Sequence, residues 1–180
     1  TISKQKSFNG IGLHSGNLIN VTLKPAKENT GIIFIRTDID KKIKERSIKA
    51  LYSNVSDTSL CTTIENEYGI KVSTIEHLMA AFNGTGIDNI IIELNGPEVP
   101  IMDGSSLPLI EIIENCGIES LKVKRKILKI LKKIEVRVDN KYCSFVPSKE
   151  QKFSVEIDFE NKAVGKQSAS TSLANYNYKN

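Results

Sequence analysis

The sequence predicts an α+β fold: a two-layer unit in which a mixed or antiparallel sheet packs against two helices, followed by the beginning of a second similar unit. Three observations support this prediction. Short apolar runs of strand length occur in both halves of the chain. Two amphipathic segments, each followed by glycine, occur close together between residues 73 and 117. Strands and helices do not alternate regularly, which disfavours a doubly wound βαβ sheet.

The composition is that of a globular protein. The chain has 180 residues and is 39% hydrophobic, enough for one good core or two small ones. No run approaches the roughly 18 apolar residues of a membrane span, and the first residues lack a signal-peptide pattern, so we expect a cytoplasmic protein without stable membrane insertion. The absence of an initiating Met and the polar residues 175–180 lead us to expect a trimmed piece of a longer protein.

Cysteine spacing and the distribution of charge limit the kinds of metal site and binding partner that we expect. The three cysteines are widely spaced and include no C-x-x-C pair, so we expect reduced thiols and neither a disulfide framework nor a thiolate zinc knuckle. The net charge of +4 is concentrated in residues 41–46 and 122–133. Either basic run is suited to a phosphate or an anionic surface, although two solvated edges are the simpler interpretation.

The first third of the chain has the pattern of strands. Residues 8–16 are rich in glycine and place His14 at a turn between two extended runs. Residues 18–23 alternate apolar and polar, and residues 32–35 form a more buried run, so we expect these two strands to make a hairpin or meander. After a basic connector, the chain becomes β-prone again from Leu60 to residue 72, interrupted by one turn.

Residues 73–84 have the start and stop signals of a helix. Ser73 or Thr74 is placed to cap it, Glu76 lies three positions after Ser73 as in a capping box, and Gly84 is placed to end it. This segment is therefore the first predicted helix.

The two faces of this predicted helix differ in an unusual way. One face is expected to enter the core and carries Ile75, Leu78, Met79 and Phe82. The other face carries Glu76, His77 and two alanines but no Lys or Arg, in a chain that is 26% charged. An acid and an imidazole in one first turn predict either a chemical site or a capping box beside a satisfied histidine.

The next segments complete a first unit. Residues 90–94 are an apolar run of strand length, and residues 98–106 form a loop that sets a carboxylate in an apolar stretch. Residues 107–116 are predicted to be a second amphipathic helix, ended by Gly117.

The chain beyond Gly117 suggests a second unit. Residues 122–133 fit an amphipathic helix, but the run that follows them alternates as a strand does, and we favour strand. Residues 144–158 repeat the Pro, Glu and Asp spacing of residues 22–38 with a difference of two positions. We therefore expect a first domain over residues 1–121 and the truncated start of a second over residues 122–180.

Five short motifs, in order, carry a family resemblance. The motifs are Gly10-Ile-Gly-Leu-His-Ser-Gly16, Leu60-Cys-Thr62, Ser73-Thr-Ile-Glu-His77, Gly86-Ile-Asp-Asn89 and Pro100-Ile-Met-Asp-Gly-Ser105. Through them the sequence resembles the N-terminal half of the bacterial UDP-3-O-acyl-N-acetylglucosamine deacetylases from about residue 10 to residue 159. This resemblance implies zinc-dependent deacetylation in the lipid A biosynthesis of Gram-negative bacteria, with an active site between two similar α+β domains.

The resemblance assigns Glu76 as the general base and His77 as a zinc ligand. A catalytic zinc takes three protein ligands and lowers the pKa of its water towards about 7, and a nearby carboxylate accepts the proton as that water attacks the amide. Neighbouring helical residues point about 100° apart, so a ligand and a base can approach one water from two sides. For these two residues the resemblance favours the chemical site over the capping box.

The resemblance also implies roles for five further residues. Leu60 and Cys61 match a segment that lines the substrate passage, and Phe159 matches an aromatic residue that contacts the nucleotide; plain core packing is the alternative for each. His14 is expected to support the site without binding metal. Asp103 is expected to hold a turn or to contact the site residues, the turn being the simpler role.

The chain departs from the family at the metal. The family's two other zinc ligands, a His and an Asp, and its second catalytic His belong to the C-terminal domain, and this chain contains only two histidines. We therefore expect the chain alone to bind zinc weakly and to have little or no activity. The full-length enzyme is expected to act as a monomer on a UDP-linked acylated amino sugar, without nucleic acid.

A second function remains open. A non-enzymatic module could bind anionic surfaces or nucleic acid through residues 122–133. Single-strand binding usually adds aromatic side chains that stack on bases, and these basic residues have one aromatic neighbour or none.

Overall fold

The computed structural model describes residues 1–172, so the expectation about residues 175–180 lies outside the described residues. The chain divides into two compact units, Thr1–Lys124 and Arg125–Asn180. Each unit is described here by itself. Over residues 1–172, none of the helices has the length and apolar character needed to cross a membrane.

The first unit contains eight strands and two α-helices among its described residues. They are β1 (Lys6–Ile11), β2 (Leu18–Pro25), β3 (Ile32–Arg36), β4 (Ser47–Lys49), β5 (Val55–Asp57), β6 (Thr63–Glu65), β7 (Lys71–Val72), α1 (Glu76–Thr85), β8 (Ile90–Leu94) and α2 (Leu107–Asn115).

The main sheet has the strand order β1-β2-β8-β3-β4. All neighbours are antiparallel except β3 and β8, which are parallel. Strands β2 and β3 form where the sequence predicts strands, but the predicted hairpin or meander between them is wrong because β8 lies between them. Strand β8 is almost wholly apolar, and the centre of the sheet is where such a strand buries most surface. Strands β5, β6 and β7 form a separate small antiparallel sheet.

A row of apolar side chains crosses the main sheet and anchors its core. Ile92 of β8 lies opposite Leu23 on one side and opposite Phe34 on the other, and Phe34 lies opposite Ile48. All four side chains are fully buried. Helices α1 and α2 contact each other and contribute their own buried faces to the unit. The α+β prediction, with a mixed sheet packed against two helices, is confirmed.

Helix α1 begins and ends later than the sequence predicts. It starts at Glu76 and ends at Thr85, and the residue that caps its C-terminal end is Gly86, whose φ of 72° is left-handed, so Gly84 lies inside the helix. Neither Ser73 nor Thr74 caps it, and the predicted capping box is wrong. Ser73 is instead paired with the extended segment around Glu98, because its N–H donates to the Pro97 carbonyl. Because the N–H and the carbonyl of Ser73 are both bonded to residues 97–99, Ser73 is extended and the helix begins after it.

The expected core face of α1 is present. Ile75, which immediately precedes the helix, is buried, and so are Leu78 and Phe82. Met79 is only partly buried, while Ala81 is fully buried. The buried stripe is thus shifted slightly towards the alanines.

The second unit consists, in its described part, of two antiparallel strand pairs. Residues 122–133 form neither helix nor strand, whereas the predicted strand after them is present. These pairings follow the same local plan as β1 with β2 and β3 with β4, although every strand residue here is exposed or partly exposed. The strands are β9 (Ile134–Val138) with β10 (Lys141–Phe145), and β11 (Lys152–Asp158) with β12 (Lys166–Ser172).

Candidate active site

The carboxylate of Glu76 connects the start of α1 to the segment before β6. Its Oε2 accepts a hydrogen bond of 3.0 Å from the Thr62 N–H. The return contact is made by the Ile75 N–H, which donates to the Thr62 carbonyl at 3.4 Å. Glu76 is therefore fixed beside Leu60 and Cys61, although the sequence expected this carboxylate to turn back onto its own helix.

Leu60 and Cys61 differ in their exposure. The Leu60 side chain is 84% exposed, so it takes no part in core packing within the described residues. Cys61 is partly buried, with its Sγ 3.7 Å from the Thr63 hydroxyl oxygen. An exposed residue and a partly buried one thus precede Thr62, whose N–H binds Glu76.

His77 faces the loop that contains Asp103. The Ser106 hydroxyl donates a 3.0 Å hydrogen bond to the His77 carbonyl oxygen, which holds this loop against the first turn of α1. The exposed Asp103 carboxylate accepts hydrogen bonds from the Ser105 N–H at 2.9 Å and from the Ser105 hydroxyl at 2.8 Å. These two bonds lower the pKa of Asp103, and the charge on His77 lowers it further by a smaller amount. Asp103 therefore stabilises the turn that it forms with Ser105, and it lies close enough to His77 for an electrostatic interaction.

The turn that carries His14 is held by a residue that the sequence did not identify as part of the site. The backbone N–H groups of His14 and Ser15 both donate to the carboxylate of Glu98, at 3.0 Å and 2.9 Å. The Thr74 hydroxyl donates to the same carboxylate at 2.9 Å. Glu98 is only 2% exposed. The imidazole of His14 belongs to an exposed residue, so the turn presents it to solvent.

The pKa of Glu98 is lowered from its ordinary value in spite of the burial of its carboxylate. Burial raises its pKa, but the hydrogen bonds from His14, Ser15 and Thr74 together outweigh that effect, and the net pKa lies below the ordinary value of 4.5. The sequence signal for Glu98 was its position in an otherwise apolar stretch, because a carboxylate there must find several donors.

The first unit thus brings four of the sequence-predicted positions to one place. The start of α1 contributes Glu76 and His77, and the segments of Cys61 and Asp103 are each hydrogen-bonded to it. Phe159 belongs to the second unit, where its N–H donates to the Gly165 carbonyl and its side chain is 56% exposed. Plain core packing is thereby excluded for Phe159 within the described residues.

The described residues do not fit a complete zinc site by themselves. Between Thr1 and Ser172, no group of three or more His, Cys, Asp or Glu side chains is arranged to hold a metal ion. Catalytic zinc requires three protein ligands, and His77 is the only one that the resemblance assigns here.

Comparison with known protein families identifies the arrangement. The family model described as "LpxC: UDP-3-O-acyl N-acetylglycosamine deacetylase" matches residues 1–180. The chain belongs to this deacetylase family. The family resemblance predicted from the five motifs is confirmed.

Curated relatives of the LpxC family are similar to this chain over most of its length. The UDP-3-O-acyl-N-acetylglucosamine deacetylase of Pasteurella multocida is 43% identical over 166 residues, which are 92% of this chain and 53% of the relative. The enzyme of the same name from Neisseria meningitidis serogroup C is 44% identical over 168 residues, 93% of this chain and 54% of the relative. The chain therefore spans about half the length of the curated relatives it matches.

Proposed function

We propose that this chain is part of a zinc-dependent enzyme that removes the acetyl group from UDP-3-O-acyl-N-acetylglucosamine in lipid A biosynthesis. The observation that carries this proposal is the start of α1, where Glu76 and His77 lie among segments that bear the motifs of the LpxC family. The names of the relatives supply the substrate.

Glu76 is suited to act as the general base. The Thr62 N–H holds Oε2, and within residues 1–172 the other oxygen, Oε1, receives no hydrogen bond, so it can accept a proton from water. That water adds to the acetamido carbonyl carbon, the C–N bond breaks, and acetate leaves. The proton held by Glu76 is then available to the departing amine. Proton transfer of this kind contributes roughly 10²–10⁴-fold to a rate.

We propose that His77 supplies one zinc ligand. Residues 1–172 arrange no three ligands for a metal ion, so the proposal places the other zinc ligands in the remainder of the full-length protein. The carbonyl of His77 is held by Ser106, which restricts the first turn of the helix from which its imidazole projects.

The proposal also keeps the roles that the resemblance assigns to the remaining positions. Leu60 and Cys61 line the passage to the site, Phe159 contacts the nucleotide, and His14 and Asp103 support the site without binding metal. The exposure of Leu60 and Phe159 supports these roles, because both side chains are free to meet a ligand.

The proposal extends to the whole protein. Residues 1–121 form the first domain and residues 122–180 begin the second. The full-length enzyme acts in the cytoplasm as a monomer on a small-molecule substrate, and it requires no nucleic acid.

Acetate release tests the proposed function directly. The full-length protein that carries these residues is incubated with UDP-3-O-acyl-N-acetylglucosamine, before and after removal of metal by a chelator. We expect acetate release that stops on chelation and returns with added zinc. Absence of acetate release from zinc-loaded protein, or full activity after complete metal removal, would contradict the proposal. Binding to anionic surfaces through residues 122–133 would instead weaken steeply as salt rises.

A further inference from the structure

We propose that Glu98 is a positioning residue that holds the His14 turn in place against the segment leading into α1. This role for the reaction rests on the proposed deacetylase function. The contacts on which it depends do not.

Glu98 accepts hydrogen bonds from two separate segments of the chain. Its two carboxylate oxygens accept bonds from the His14 and Ser15 N–H groups and from the Thr74 hydroxyl, so three donors come from two segments about 60 residues apart in sequence. A buried charge is costly unless such donors replace its water, and bonds to an ionised acceptor are the stronger kind. Glu98 therefore joins these two segments firmly.

The His14 turn has backbone hydrogen bonds of its own that do not involve Glu98. The Gly12 N–H donates to the Asn17 carbonyl at 3.0 Å, and the Gly16 N–H donates to the Gly12 carbonyl at 2.9 Å. These bonds close the turn within itself. The bonds to Glu98 therefore fix where the turn lies rather than how it folds.

The backbone of the His14 turn packs closely against the Glu98 carboxylate at Gly12. A Cβ placed on Gly12 would lie 2.5 Å from Glu98 Oε2 and still closer to the Ser15 Oγ. Real Cβ atoms do not approach other atoms so closely, so the backbone at Gly12 packs directly onto Glu98.

Thr74, which donates to Glu98, has a strained backbone conformation. Its φ is 57°, in the left-handed region that β-branched residues avoid. Such a conformation persists only where the surroundings enforce it. Here the Thr74 hydroxyl is bonded to Glu98, and the preceding Ser73 is paired on both sides with the segment of residues 97–99. Glu98 thus stabilises the strained residue that stands two positions before Glu76.

Amide hydrogen exchange in this chain tests the structural part of the proposal. Glu98→Gln keeps the size of the side chain but removes its charge and one acceptor oxygen. We expect exchange at the His14 and Ser15 amides to rise about tenfold or more, because each loses a bond to a charged acceptor, while the amides of β8 and α2 keep their rates. Glu93→Gln, which removes the carboxylate paired with Lys24, is the matched control and should change neither turn amide.

Kinetics of the full-length protein test the consequence for the reaction. For Glu98→Gln we expect kcat to fall roughly tenfold or more with KM within about threefold, because misplacement of site residues affects the transition state most. Thr74→Ser, which keeps the hydroxyl, should retain a kcat near that of the wild type, and Thr74→Ala should not.

Two results would overturn the proposal. One is unchanged exchange at His14 and Ser15 in the Glu98→Gln protein. The other is a uniform rise in exchange over the whole first unit, since Glu98 would then be a general stabiliser only. If the wild-type full-length protein releases no acetate, the proposed function fails, while the exchange result still decides whether Glu98 positions the turn.

Discussion

Glu98 and Glu76 are two acids with opposite environments at the same end of α1. Glu98 is fully enclosed, and its donors come from the His14 turn and from Thr74. Glu76 is partly exposed, and one of its oxygens is bound by the Thr62 N–H. An enclosed acid with all its bonds made is suited to hold structure, and a partly exposed acid with an available oxygen is suited to move a proton.

The lowered pKa of Glu98 predicts a specific acid sensitivity. A carboxylate whose pKa is lower when folded stabilises the protein above its unfolded pKa, near 4.5, and loses that contribution as the pH falls towards its folded pKa. Glu98→Gln should therefore cost about 1.5–3 kcal/mol of unfolding free energy at neutral pH, and this cost should shrink below about pH 4.5. Urea unfolding of both proteins between pH 7 and pH 4 measures this difference. A cost that stays constant or grows on acidification would contradict the assignment.

At the scale of single residues, the sequence drew attention to Glu76 and His77 because an acid and an imidazole are unusual on a helix face without Lys or Arg. Their roles as base and zinc ligand come from the family resemblance and stay predictions. The anchoring role of Glu98 was missed because its donors are backbone N–H groups distant in sequence, and side-chain patterns do not reveal those. The capping box failed for the same reason, since Ser73 and Glu76 both bond to other segments.

At the scale of elements, the main sheet depends on one strand. Strand β8 pairs with β2 on one side and with β3 on the other, and Ile92 touches a row of buried side chains in both directions. The position of this strand also places residues 95–101, which follow it, beside the start of α1. The central strand of the sheet therefore determines the position of the segment that contains Glu98.

Truncation of the core row tests this dependence. Phe34→Ala removes a fully buried ring between Ile48 and Ile92 and should lower the unfolding free energy by about 3–5 kcal/mol. Leu60→Ala removes a side chain that is 84% exposed and should change it by less than about 0.5 kcal/mol. Denaturant unfolding of the two variants provides the comparison. Equal losses would show that Phe34 is not part of a packed core.

The sequence predicted which elements form but not how the strands pair. Strands β2, β3, β8 and β9 and helix α2 occur close to their predicted positions because alternation and apolar runs are local signals. The order β2-β8-β3 depends on contacts between residues roughly 60 to 70 positions apart, so the predicted pairing of β2 with β3 was wrong. The late start of α1 arises in the same way, from the pairing of Ser73 with Glu98.

At the scale of the molecule, the two units differ in how fully they are packed. Every buried side chain among the described residues belongs to the first unit, which has its own sheet, helices and core. The strand residues of the second unit are exposed, apart from Ser172, which is partly exposed. The chain spans about half the length of its curated relatives, so the proposed reaction is assigned to the full-length protein.

The most direct test of the account is the rate of acetate release by the full-length protein with Glu76→Gln. The amide keeps the size of the side chain but is a far poorer proton acceptor, so we expect kcat to fall about 100-fold or more. Glu65→Gln, which removes a carboxylate paired with Lys71 in the same unit, is the matched control and should keep a nearly normal rate. Turnover by Glu76→Gln within about threefold of the wild type, in a correctly folded protein, would contradict the assignment of Glu76 as the general base.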